Sequence, residues 1–428
     1  MASIIDTTQK IFLIILIVAL ILFIPKMIFI MIGLKKQKPF KKATKKHKYA
    51  IIIPARFESK VIRGVLDSIQ NQTYDKNLID TYVIVPDNTD ESINIVKEYK
   101  NTYVHILDHK VSTKGATMDS LFKLIMDNSP DYYDAYIIVD ADNILDKNFV
   151  EHMNDAFDAG YDVVLGGRQN KNWKDGWVSN CSALTFSFIN GMNNKARTKF
   201  KSNILISGSG LLISKKIIQE NNGWPWQTLT EDYEFSQITF IKDYKACYYE
   251  LAKTFDEQPS NLKQSTTQLT RWVKGHNTVD SIYRKDMIKS MKNKSPKHKF
   301  FTLDFMLSLL PMIILVIDFA LFAILNLNYF IVALIIKSAL WKTCILNLVL
   351  SLFGGWTLFM LYSALGLLCD RDNIRMDLKN TTITLLMSPL FFSRYIPIYI
   401  KCLNKKEVKW ERIDHSTKQE NENGNPLN

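Results

Sequence analysis

The stretch Tyr136-Ile137-Ile138-Val139-Asp140-Ala141-Asp142 decides the fold of this chain. Its first four residues are apolar and rich in β-branched side chains. Such a run reads as a strand buried on both faces, the kind found in parallel sheets covered by helices. It stops on two carboxylates one residue apart, with Asn143 behind them. In open α/β sheets ligands gather beyond the carboxyl ends of the strands. Asp140 and Asp142 therefore stand where a ligand would be met, and their hard oxygens suit Mg²⁺ or Mn²⁺ beside a diphosphate. An isolated pair of this kind also serves as an Asx turn or helix cap, so its meaning depends on its surroundings.

Working outward, three similar strand runs precede it. Ala50-Ile51-Ile52-Ile53 ends at Pro54, Tyr82-Val83-Ile84-Val85 ends at Pro86-Asp87-Asn88, and Tyr103-Val104-His105-Ile106-Leu107 follows. Residues 61–70, 92–99 and 118–126 between them have helical spacing. This alternation predicts an α/β domain over residues 49–285, with a mostly parallel, Rossmann-like sheet and right-handed crossovers. Asp87 lies just past a strand end and reads either as turn chemistry or as an acceptor for a nucleobase or ribose. Lys114 precedes a helix and reads as a solvated lysine or as a contact to the nucleotide.

The flanks are apolar. Residues 11–34 carry one charge, Lys26, and are long enough to span a bilayer, with Lys26 placed to snorkel to the interface. A cleaved signal peptide is the alternative, but the positive charge follows the apolar run and no small-x-small site ends it. Eight lysines (35, 36, 38, 41, 42, 45, 46 and 48) crowd into residues 35–48. The formal net charge of +12 would first suggest nucleic acid. A basic cluster directly behind a membrane anchor points instead to anionic lipid heads and a cytosolic catalytic domain, with no nucleic-acid partner.

After a basic hinge at 286–300, residues 301–403 form a second membrane region, with candidate segments at 301–325, 329–341, 344–368 and 382–403. The last holds Pro389, Arg394 and Pro397 and reads as an interfacial or re-entrant piece. Four full spans, or two plus re-entrant pieces, both return the C-terminus to the cytosol. Residues 404–428 read as a cytosolic tail, basic at Lys405, Lys406, Lys409 and Arg412, and polar and disordered from Ser416 onward. The five cysteines are scattered without a Cys-x-x-Cys pair, which indicates neither a disulfide framework nor a zinc site.

Two further motifs lie downstream of the paired aspartates. Thr230-Glu231-Asp232 follows Gly223-Trp224-Pro225-Trp226. Thr230 can cap a helix whose first turn favours acids, or Asp232 can act as general base on an acceptor hydroxyl. Trp224 and Trp226 suit either sugar stacking or a core. Gln268, Arg271 and Trp272 share a helix face by their spacing. An amphipathic helix with a buried Trp explains them blandly. The functional reading gives Arg271 a phosphate, Trp272 the acceptor sugar and Gln268 a hydroxyl.

Ile53-Pro54-Ala55-Arg56, Asp87-Asn88, Lys114-Gly115, Asp140-Ala141-Asp142, Ser207-Gly208-Ser209-Gly210, Thr230-Glu231-Asp232, Asp256-Glu257-Gln258-Pro259 and the Gln268/Arg271/Trp272 motif occur in this order. In that order they resemble the membrane-embedded family 2 glycosyltransferases with a GT-A domain, such as the cellulose, hyaluronan and poly-N-acetylglucosamine synthases. The resemblance runs from residue 49 to about 280. It implies a hexosyltransferase in a multi-pass cell-membrane protein. Pro54, Arg56, Glu58, Asp87, Lys114 and Asp140 would hold a UDP-sugar, and Asp140 and Asp142 a metal. Asp232, beside Glu231, would be the base, and Gln268, Arg271 and Trp272 would hold the acceptor and diphosphate. The single base candidate implies inversion and a β-linked product. The expected acceptor is a growing polysaccharide or glycan. The alternatives are single addition to a membrane lipid and an inactive scaffold. Two positions depart from the family pattern: Phe57 stands where Asn is common before Glu58, and the Asp87 turn is one residue short.

Overall fold

The computed structural model describes residues 1–108, 111, 113–308 and 310–402. The eight strands of one sheet are β1 (Tyr49–Pro54), β2 (Ile79–Val85), β3 (Thr102–Ile106), β4 (Ala135–Ile138), β5 (Ile144–Leu145), β6 (Val163–Asn170), β7 (Leu211–Ser214) and β8 (Ala246–Asp256). They lie in the order β3-β2-β1-β4-β7-β6-β8-β5. The pairs β3–β2, β2–β1, β1–β4 and β6–β8 are parallel. The antiparallel pairs all involve β7 or β5, which enter after the regular alternation has ended. The expected parallel half is thus present; three of its four strands fall within a residue of those expected, and β2 starts three residues earlier, at Ile79.

Two cores cover the sheet. Val65, Leu66, Ile69, Phe149 and Met153 pack one face, while Met118, Phe122, Trp224, Trp226 and Phe235 pack the other. Trp224 and Trp226 are 1% and 3% exposed, so the aromatic stretch is core and stacks on no sugar.

The lysine-rich segment behind the first helix is strapped onto the domain. The Gln37 and Phe40 amides reach Glu250 and Tyr249, the Ala43 amide reaches Asp155, and the Thr44 amide reaches Asp158. Most of its lysines nevertheless point to solvent.

Among the described residues, four helical stretches are long and apolar enough to cross a membrane: Ala2–Gly33, Met312–Ile335, Trp341–Cys369 and Leu378–Cys402. The expected segments 301–325 and 329–341 are divided differently. A short helix, Pro296–Met306, precedes one unbroken helix, Leu310–Ile335. This helix forms a hairpin with Trp341–Cys369, whose end returns to the domain: Cys369 abuts Gly33, and Asn373 bonds the Tyr248 hydroxyl at 3.1 Å.

The last stretch touches the catalytic domain at both ends. Cys181 donates to the Thr384 carbonyl at 3.7 Å. Arg394 donates to Ser265 and Thr266, and Ile398 and Cys402 pack on Leu269 and Val273. The segment is thus packed against the α/β domain along its length, while its length and composition also suit a membrane crossing. The tail at 404–428, with its basic residues, lies outside the described residues.

Candidate active site

β1, β2 and β4 end side by side, and their loops open into one continuous cavity of about 2390 Å³. Every residue singled out from the sequence lines it: Pro54, Arg56, Glu58 and Asp87 from the first two strand ends, Lys114, Asp140 and Asp142 from the middle, and Glu231, Asp232, Gln268, Arg271 and Trp272 from the two later helices.

The Asp140 turn is held from behind. Ser209 Oγ accepts from the Asp140 amide at 2.9 Å and from Asn143 Nδ2 at 2.7 Å. The turn chemistry and the ligand reading therefore coexist, because the pinning uses the backbone and leaves the Asp140 carboxylate in the cavity. Lys114 Nζ lies 2.5 Å from Asp140 Oδ1, 3.9 Å from Glu231 Oε1 and 2.7 Å from the Gly208 carbonyl. Burial works against its charge, but the Asp140, Glu231 and Asp232 carboxylates hold it above the usual lysine value. Gly115 allows this helix start to approach: a Cβ there would lie 2.1 Å from the Trp226 carbonyl oxygen.

Asp87 has the turn role as well as the cavity position. It accepts from the Thr89 amide at 2.8 Å, and Thr89 holds its carboxyl below the ordinary range. Asp90, which is buried, accepts from the Phe57 amide at 2.7 Å and from the Ser92 amide at 2.9 Å. Phe57, the departure from the family pattern, has φ 58°. That is the left-handed region, which Asn tolerates and an aromatic residue adopts at a cost of about 1–3 kcal/mol.

Glu231 and Asp232 open the helix Glu231–Lys242. Thr230 stands at the cap position but makes no side-chain cap bond, while Glu231, Asp232 and Glu234 do occupy the acid-favouring first turn. Thr230 instead sits against Gly275, where a Cβ would come within 2.5 Å of it, docking this helix to Leu262–Ser290. Asp232 Oδ2 accepts from the Gly208 amide at 2.7 Å. Burial pushes the Glu231 carboxyl up, Lys114 opposes this, and Asp232 adds to it.

Gln268, Arg271 and Trp272 lie on Leu262–Ser290, whose N-terminus is capped by Asn261. Trp272 meets Phe186 edge-on at 6.0 Å. Arg271 Nε is buried with no hydrogen-bond partner among the described residues, an unsatisfied donor on a residue that lines the cavity.

Sequence reasoning passed over other cavity residues. Arg168 pairs with Asp256 of the Asp256-Glu257-Gln258-Pro259 motif. His276 stacks on Tyr233 at 3.9 Å, and Asp280 accepts from Tyr233 at 2.9 Å. His276 follows Trp272 by one helical turn, so its spacing was a usable signal; Arg168 lies mid-strand and had none.

No group of three or more His, Cys, Asp or Glu among the described residues could hold a metal by itself. The donor set that is present, Asp140 and Asp142, suits a hard divalent ion whose remaining positions are filled by diphosphate oxygens and water. Lys114 already pairs with Asp140, so a metal there would share that carboxylate with the lysine.

The glycosyltransferase-like family 2 model matches residues 47–275. A probable glycosyltransferase of Bacillus subtilis, YdaM, is 27% identical over 54% of this chain and 56% of its own length. One from Sulfolobus acidocaldarius is 23% identical over 56% and 52%. The chain thus matches about half the length of these curated relatives. Among solved structures, a Pyrobaculum calidifontis mannosyltransferase in complex with GDP-Man and Mn²⁺ aligns over 95% of this chain and 99% of its own, with 12% identity and a TM-score of 0.55. That likeness is one of fold, the GT-A fold of the sheet and its helices.

Proposed function

This chain belongs to the glycosyltransferase-like family 2, and on that premise we propose that it is an inverting hexosyltransferase. It moves a sugar from a UDP-sugar to a hydroxyl of a lipid acceptor at the cytosolic face of the cell membrane. The observation that carries this reading is the continuity of the cavity. It runs from Asp87 and Asp140 past Asp232 and on between the membrane helices, where Leu20, Phe23, Leu315, Phe319, Leu352 and Phe359 form its wall. A glycan needs hydrogen-bonding walls, whereas these side chains match a hydrocarbon tail.

In this reading Asp140, Asp142, Lys114 and Arg271 surround the diphosphate. A bound Mg²⁺ or Mn²⁺ would supply Lewis-acid stabilisation of the departing nucleotide. Asp232 takes the proton from the acceptor hydroxyl as that oxygen attacks the anomeric carbon and the bond to the diphosphate breaks. The Gly208 amide orients the base. One displacement inverts the centre, giving a β-linked product from an α-linked donor. Arg56, Glu58 and Asp87 face the nucleoside, and Gln268 and Trp272 face the acceptor.

A second reading, processive growth of a polysaccharide, is favoured by the Gln268/Arg271/Trp272 motif. Incubating the purified protein in detergent with radiolabelled UDP-sugars, GDP-mannose and membrane lipid separates the two by product class. Failure of every donor would overturn the catalytic reading.

A further inference from the structure

The membrane end of the cavity holds an unbalanced pair of cations. Lys26, on the first helix, lies 2.8 Å from Asp304 Oδ1 and 3.0 Å from Asn193 Oδ1. Arg197 binds the same Asp304 and donates to the Phe301 carbonyl at 3.3 Å. The three charged side chains are 10%, 3% and 8% exposed. Asp304 is the only carboxylate paired with either cation among the described residues. Two buried positive charges therefore share one negative charge. Lys26, Asn193 and Arg197 line the cavity and Asp304 does not, so both cations border the cavity while their shared carboxylate lies behind them.

Burying an uncompensated charge is costly, and the sequence maintains this one deliberately. Arg197 is enclosed by Phe29, Phe240, Phe301 and Phe305, whose ring centres lie 5.7 to 5.9 Å away. A π-helical stretch, Ser187–Asn194, sets Asn193 and Arg197 on one side of their helix. Wide turns of this kind recur at functional sites. The position along the cavity is also informative. Phe305 stacks on Tyr233 at 5.7 Å, and Tyr233 adjoins the base Asp232. On the other side Leu20, Phe23 and Met27 of the first helix continue the wall into the membrane. The order is therefore apolar groove, cation pair, aromatic bridge, general base.

From this order we infer that Lys26 and Arg197 form an anion subsite for a lipid phosphate. The acceptor is an amphiphile in which a phosphodiester or diphosphate separates the hydrocarbon tail from the accepting hydroxyl. The tail occupies the groove, the phosphate meets Lys26 and Arg197, and the hydroxyl reaches Asp232. This rests on the lipid-acceptor reading above and adds the charge of the lipid and the residues that select it.

Short-chain lipids test it by calorimetry on the whole protein in neutral detergent. Dioctanoyl phosphatidylglycerol carries tail, phosphate and hydroxyls; dioctanoylglycerol lacks the phosphate; glycerol 1-phosphate lacks the tail. The expected result is binding of the first at least tenfold tighter than either of the others. Lys26→Gln should weaken it about tenfold, as loss of a charge-assisted hydrogen bond implies, and leave dioctanoylglycerol unchanged. Lys26→Arg should retain affinity, and UDP affinity measured in the same samples reports that each variant is folded. Equal binding of phosphatidylglycerol and dioctanoylglycerol, or indifference to Lys26→Gln, overturns the subsite. Equal binding of glycerol 1-phosphate shows a free-phosphate site and overturns the lipid assignment. Sugar transfer measured in parallel keeps the two readings apart: intact selective binding without transfer sinks the catalytic reading alone.

Discussion

Asp232 Oδ2 lies 2.7 Å from the backbone nitrogen of Gly208, and the carbonyl of the same glycine accepts from Lys114 at 2.7 Å. One peptide loop thus positions both the proposed base and the lysine at the diphosphate. A Cβ on Gly208 would sit 3.2 Å from Asp232 Oδ2 and 3.4 Å from Lys114 Nζ. Gly208→Ala should therefore lower kcat by about tenfold or more through displacement of both groups, with the protein still folded. Steady-state kinetics on the variant checks this.

Asp232→Asn should reduce transfer by roughly 10²- to 10⁴-fold while UDP affinity stays within about twofold, because a base acts on the acceptor and not on the nucleotide. Calorimetry set against turnover measures both. Wild-type turnover in this variant would leave Asp232 a structural ligand of the Gly208 loop.

The raised carboxyl of Glu231 predicts a pH dependence. Its pairing with Lys114 needs the ionised form, which appears only as pH rises through the raised value. Turnover should rise along an acid limb above the ordinary glutamate range, and Glu231→Gln should remove that limb. The sign for stability is opposite. A carboxyl with a raised folded-state pKa keeps its proton longer in the folded chain, so stability falls as pH climbs from the unfolded value to the folded one. Thermal melting across that range should show the fall in wild type and lose it in Glu231→Gln.

Excess EDTA should abolish transfer, and added Mg²⁺ or Mn²⁺ should restore it. Asp142→Asn keeps the shape but removes a charged oxygen, so it should raise the metal concentration needed for half-maximal rate.

Much of this site was legible because its residues sit at strand ends or at helical spacing. Asp87, Asp140, Gln268, Arg271 and Trp272 could all be placed from local pattern. The membrane region was less so. A continuous apolar run does not mark where one helix stops, and Leu310–Ile335 runs straight through Asn326-Leu327-Asn328, the gap between the expected segments 301–325 and 329–341. The Trp224-Pro225-Trp226 stretch was ambiguous because an aromatic side chain looks the same beside a sugar or inside a core. The Lys26–Asp304–Arg197 cluster was invisible, since its members are separated by more than a hundred residues and meet only through helix packing.

The exposed lysines of residues 35–48 predict a cytosolic orientation of the α/β domain by the positive-inside rule. A single cysteine introduced at Lys45 should react with a membrane-impermeant maleimide only after cells are permeabilised. Labelling of intact cells would place the catalytic domain on the outer face.

The central claim is that a sugar passes from UDP to a lipid lying in the apolar cavity. Its most direct measurement is organic extraction of a reaction containing purified protein, a labelled UDP-sugar, Mn²⁺ and membrane lipid, followed by mass spectrometry and NMR of the product. The account predicts label in the organic phase, as a lipid enlarged by one sugar with a β anomeric coupling for a gluco- or galacto-configured donor. Label confined to a water-soluble polymer would contradict the lipid acceptor, and an α-linked product would contradict the single displacement.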